Sequence, residues 1–151
     1  MRKRVSVISI KAVRESSVLY EKRRIEHAGD AIQFASPFFC DADRELIYVC
    51  SVSTKKEPLT MELVAMGTLD TCSASPREIF KGAILSNASG IFCFHNHPSG
   101  DCKPSLDDNI LTRRLVEAGE LLGIELIDHI ILGEQSKFYS YGMEGKLCTK
   151  L

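Results

Sequence analysis

Gly90-Ile91-Phe92-Cys93-Phe94-His95-Asn96-His97-Pro98 is the stretch that decides how this chain folds and where its chemistry sits. The run is apolar and aromatic, follows a glycine and stops at a proline, so it reads as a buried strand. Successive strand side chains alternate between faces, which puts His95 and His97 on the same one. Beyond it Pro98, Gly100 and Pro104 mark a turn, and Ser105 stands where a helix should begin. Asp108 follows three residues later, in the first helical turn. A strand end and a helix start can thus bring two neutral imidazole nitrogens and one carboxylate to a common point, a set that zinc accepts at roughly 2.0–2.2 Å. Ser105 taken alone is accounted for as the helix cap, with Asp108 imitating the acidic partner of a capping box.

Three protein ligands leave a tetrahedral ion one open position, which catalytic zinc sites fill with a water acidified to a pKa of about 7. Hydrolysis then needs a proton acceptor. The candidate is Glu45 in Asp43-Arg44-Glu45-Leu46-Ile47-Tyr48-Val49-Cys50, preferred because it opens an apolar run that reads as a central strand; Glu62 stays as the alternative. Other acids are weaker candidates for the ligand set. Asp107 points about 100° away from Asp108 on a helix and is expected to be solvated. Asp101 is expected to shape the turn. Asp128-His129 should end or interrupt an apolar strand and buttress the site from behind, with His129 a supporting or core residue. Two other metal-site spellings fail: Pro98 and Ser99 stand where a metallo-β-lactamase-type site needs Asp and His, and the HNH nucleases spread their three residues over a longer ββα unit.

Outward from this core, short apolar runs alternate with amphipathic ones, an α/β pattern. Strands are expected over Arg4 to Val13, Glu45 to Ser53, Leu59 to Met66 and Ile124 to Leu132, and a helix around Asp30 to Phe39. Ser75-Pro76-Arg77-Glu78 combines a cap, a proline at the first helical position and an acid three on, so a helix should run to about Asn87 with Ile79, Phe80, Ala83 and Ile84 inward. The helix after Ser105 should bury Leu111, Leu115, Ala118 and Leu122 and end at Gly123. Residues 1–28 read as an N-terminal strand and charged connection belonging to the same domain as residues 29–151.

A chain of 151 residues suits one compact domain. Nineteen Lys and Arg against twenty Asp and Glu give no broad electrostatic support for nucleic acid, and Arg2-Lys3-Arg4 and Lys22-Arg23-Arg24 read as solvated charge. Six cysteines accompany a charged start without the apolar core of a signal peptide, so a reduced cytoplasm is the expected setting. Cys50 and Cys93 read as small core residues, while Cys40, Cys72, Cys102 and Cys148 fall in turn-like or terminal segments without metal-finger spacing. No apolar stretch reaches bilayer length, so no membrane partner is expected.

The array Glu45, His95-Asn96-His97, ten residues, Asp108 resembles the JAMM motif of the RadC-like branch of the JAB/MPN superfamily. So do Gly67-Thr68-Leu69, Pro76-Arg77-Glu78-Ile79-Phe80-Lys81, His97-Pro98-Ser99-Gly100-Asp101, Pro104-Ser105 and Asp128-His129-Ile130-Ile131. The likeness runs from about Ala31 to Tyr141, with Cys102 standing where the family more often has an apolar residue or proline. It implies a mixed, largely antiparallel curved sheet flanked by helices, with the metal at one sheet edge beside a helix start. It also implies a zinc-dependent hydrolase: His95, His97 and Asp108 hold the ion, Glu45 relays the proton, Ser105 assists the oxyanion, and a metal-activated water attacks an amide or isopeptide bond. The expected partner is therefore a polypeptide or other amide-bearing molecule. Two rival readings are an accessory binding module, acting with nucleic-acid-processing or mobile-element proteins, and a metal-dependent nuclease linked to DNA repair. The oligomeric state, a homodimer included, is left open by the sequence.

Overall fold

A computed structural model describes residues 2–67 and 74–148. The decisive segment becomes β3 (Gly90–Asn96), buried at every position in the middle of a five-stranded sheet. On one side of it lies β1 (Leu46–Val52) and outside that β2 (Pro58–Met66); on the other lie β4 (Glu125–Leu132) and the short β5 (Phe138–Ser140). All pairings are antiparallel except β3 with β4. That parallel pair needs a crossover, and α3 (Leu106–Leu122) supplies it. The architecture is the mixed α/β sheet expected, largely antiparallel and in one domain.

Alternation along β3 divides the interior in two. Ile91 and Cys93 join Ile47, Val49 and Leu126 under α2 (Pro76–Leu85) and α3, whose Ile79, Phe80, Ala83 and Leu115 complete that layer. Phe92 and Phe94 face the opposite way, onto Ile25, Ala31, Phe34 and Ala35 around α1 (Ala28–Ala35). The same parity assigns His95 to the face that α3 covers.

Several expectations are corrected. Arg4–Val13 forms no strand: Val5, Val7, Ile8, Ile10 and Val13 are 68–99% exposed, because β-branched residues alone make no strand unless they pair with another strand. The domain's packing begins at Tyr20 and Ile25 instead, the latter fully buried and bonded through its N–H to Lys56. The Lys22-Arg23 pair is not merely solvated, since Lys22 bridges to buried Asp30 and Arg23 to Glu57. The helix expected over Asp30 to Phe39 is α1 followed by a 3₁₀ turn, Ser36–Phe39, where Pro37 removes a helical N–H. Ser75 precedes α2 but makes no side-chain cap bond, and the helix stops at Leu85. Ile84 and Leu122, placed inward by spacing, are 52% and 45% exposed. The strand β5 was not anticipated. Thr68 to Ser73, with part of one family signature and Cys72, lies outside the described residues. Among the described residues no helix is long and apolar enough to cross a membrane.

Candidate metal centre

Three side chains converge where β3 ends and α3 begins. The Nε2 atoms of His95 and His97 are 3.0 Å apart; Asp108 places Oδ1 3.2 Å from the first and Oδ2 3.4 Å from the second. Two ligand atoms on a tetrahedral zinc ion sit about 3.3–3.4 Å apart when each bond is about 2.0–2.1 Å. The two nitrogens and the carboxylate therefore lie close to the spacing of one such ion, each imidazole meeting a different carboxylate oxygen, and one ligand atom from each residue lies within 4.8 Å of the others. The cluster stands at the end of the central strand, with two strands on either side, rather than at a lateral edge.

Local structure explains the convergence. His97 lies one residue past β3, yet its N–H still bonds to Leu132 O at 2.9 Å, extending the ladder with β4 and holding the second imidazole in strand register. The chain then turns through Gly100, whose φ of +85° suits glycine. Asp101 shapes that turn as expected: its carboxylate accepts from Lys103 N, and its carbonyl lies 2.7 Å from His97 Nδ1. Ser105 caps α3 in a full capping box, accepting from Asp108 N at 3.1 Å while its own N–H donates to Asp108 Oδ2 at 2.7 Å. One carboxylate thus closes the helix end and faces both imidazoles.

The electrostatics follow from this crowding. The Asp108 bond raises the pKa of His97 above its ordinary value against the opposing effect of burial, and Glu45 adds a smaller push upward. Burial pushes the Asp108 carboxyl upward, but the contacts from His95 and His97 outweigh it and hold the group well below the usual carboxylate range. Behind the site His129 is completely buried, and desolvation keeps it neutral, its pKa well below 6.5.

Glu45 stands one residue ahead of β1. Ile47 pairs with His95 in antiparallel register, and two residues further that register brings Glu45 level with His97 on the same face. Asn96, whose side chain points the other way, grips the backbone on both sides of Glu45: Nδ2 donates to Arg44 O at 3.0 Å and Oδ1 accepts from Leu46 N at 2.8 Å. Glu62 is placed differently. It pairs with Val49, four residues along β1 from Glu45 or about 13 Å at strand rise, and its carboxylate lies against Gly82 of α2. Asp107 is exposed, and Cys102, a half-buried free thiol packed on Gly133, contributes nothing to the three-residue cluster found among the described residues.

Sequence reasoning expected Asp128-His129 behind the site but missed Thr112 and Tyr141, on which His129 rests. Asp128 and His129 sit inside β4 and do not interrupt it, because both are satisfied there: Asp128 accepts from the Ser140 hydroxyl and from Gly142 N, while His129 Nε2 lies 2.9 Å from His95 Nδ1. Thr112, 2% exposed on α3, approaches His129 Nδ1 to 2.7 Å, and Tyr141 stacks on the same ring at 5.1 Å and 9°. The available signal was a polar residue inside the apolar stripe of α3, between Leu111 and Leu115.

Comparison with known proteins gives the family. A family model described as the RadC-like JAB domain matches residues 25–146. A UPF0758 protein of Desulforamulus reducens is 46% identical over 105 residues, covering 70% of this chain and 46% of that protein. Similar proteins occur in Chlorobium chlorochromatii (40% over 125 residues, 83% of this chain and 56% of the relative) and Methanosarcina mazei (37% over 131 residues, 87% and 57%). The chain spans about half the length of these relatives.

Proposed function

From the premise that the chain belongs to the RadC-like JAB domain family, we propose that it is a zinc-dependent hydrolase of the JAMM type acting on an amide or isopeptide bond. The observation that carries this reading is the convergence of His95, His97 and Asp108 within reach of one ion, with Glu45 level with His97 on the same face. When bound, the ion supplies Lewis acidity toward water and toward a carbonyl oxygen. The protein's own groups do the rest. His95, His97 and Asp108 hold and orient the ion. The Glu45 carboxylate accepts the proton of the attacking water and passes it to the leaving nitrogen. The Ser105 hydroxyl uses only a lone pair in the cap, so its hydrogen is free to stabilise charge developing on the carbonyl oxygen.

The test is a chelator-stripped protein reloaded with zinc. We expect one zinc per chain and, at a hundredfold excess over Kd, a rise in Tm of about 5–10 °C. The reloaded protein should hydrolyse members of a panel of peptide and isopeptide amides, with His95→Ala inactive. Cleavage of DNA with the amides untouched would instead favour a nuclease; zinc uptake without any hydrolysis would favour a binding module.

A further inference from the structure

Behind the three proposed ligands, side chains and backbone form a closed ring. The Thr112 hydroxyl lies 2.7 Å from the Asp108 carbonyl oxygen and 2.7 Å from His129 Nδ1; His129 Nε2 lies 2.9 Å from His95 Nδ1; and His95 Nε2 returns to Asp108 Oδ1 at 3.2 Å. Thr112, His129 and His95 are 3% exposed or less, so water does not compete for the bonds among them, while the contact of His95 Nε2 with Asp108 Oδ1 is the gap that an ion would occupy.

We infer that Thr112 and His129 are positioning residues which set the tautomer of His95 and so present its Nε2 lone pair to the metal. The Thr112 hydroxyl donates its single hydrogen to Asp108 O, which can only accept, and in this assignment a lone pair is left toward His129. The Nδ1–H of His129 donates to that lone pair, which leaves Nε2 of the neutral ring bare. The His95 Nδ1–H donates to Nε2 of His129, and His95 Nε2 is then unprotonated, as a metal ligand must be. His97 reaches the same state by a shorter route, its Nδ1–H donating to Asp101 O. Reversing the chain would put a hydrogen on His95 Nε2 and block the ion. This inference rests on the metal-centre reading and extends it to residues that touch no ion.

The experiment has two arms. Nitrogen-15 imidazole spectra of the wild-type protein, stripped and zinc-loaded, report each tautomer directly; we expect the proton of His129 on Nδ1 in both states and that of zinc-loaded His95 on Nδ1. Zinc competition against a chromophoric chelator then compares Thr112→Val with Thr112→Ser. The valine variant should bind about tenfold more weakly, with His129 no longer held as the Nδ1–H tautomer, and serine should restore both. A His129 proton on Nε2 in the wild type overturns the inference, as does a folded valine variant with zinc affinity within twofold of wild type. If the wild type takes up no zinc, the metal-centre reading fails instead, and the stripped-protein spectra still decide the direction of the ring.

Discussion

Glu45→Gln is expected to keep its zinc and lose turnover by about 10²–10⁴-fold, the usual contribution of a positioned proton-transfer group. Glutamine matches the side chain in size and leaves the backbone grip of Asn96 on Arg44 and Leu46 untouched, so the strand start should not move. What it lacks is a basic oxygen beside the cluster. Because Glu45 is level with His97 and outside the three-residue ligand set, metal content should stay at one per chain while kcat falls. Glu62→Gln is the matched control: its carboxylate packs on Gly82, away from the cluster, and its rate should stay within a few-fold of wild type. The measurement is kcat on whichever amide the zinc-loaded protein cleaves, with zinc quantified in the same samples. Undiminished turnover in Glu45→Gln would refute the role, and a collapse in Glu62→Gln would transfer it.

The contrast between those two glutamates shows where the sequence speaks. His95, His97 and Asp108 were legible because they are local: a two-residue strand period and a capped helix start fix their relation within a short span of chain. Glu45 was legible only as the opening of an apolar run. Its advantage over Glu62 comes from the β1–β3 register, which couples residues fifty apart and leaves no local trace. The rear wall is long-range in the same sense, since Thr112 acquires meaning only when α3 is laid against β4. The failure at Arg4–Val13 has the opposite cause. There the β-branched residues were real, but a strand also needs a partner to pair with, and a local run does not report that pairing.

Asp108→Asn is expected to have the second large effect, and pH separates its two parts. The carboxylate is an anionic ligand in the proposed site, so its loss should lower zinc affinity by more than the ~10–100-fold typical of losing an outer partner. The amide can still accept from Ser105 N, so the helix cap survives and the variant folds. In the metal-free protein, Asp108 holds the pKa of His97 above 6.5, so that contact stabilises fully below 6.5 and is lost as pH rises through the higher folded value. The Asp108 carboxyl is itself held well below 3.8, so its contribution is present above 3.8 and lost only as pH falls through that lower folded value. Both contributions are thus complete between about pH 4 and 6.5. An ion pair worth ~1 kcal/mol corresponds to about 2–4 °C in Tm for a chain of this size, and the wild type should shed that amount on the neutral limb while Asp108→Asn stays flat. Zinc binding runs the other way: it needs His97 unprotonated, so wild-type affinity should climb with pH through 7, and the asparagine variant should finish its climb at lower pH. Thermal melts of stripped protein from about pH 4 to 9, paired with zinc competition over the upper half of that range, read both. Parallel wild-type and variant curves on the neutral limb would mean that Asp108 and His97 do not form an ion pair in the metal-free protein, and the zinc competition would then have to carry the ligand role of Asp108 alone.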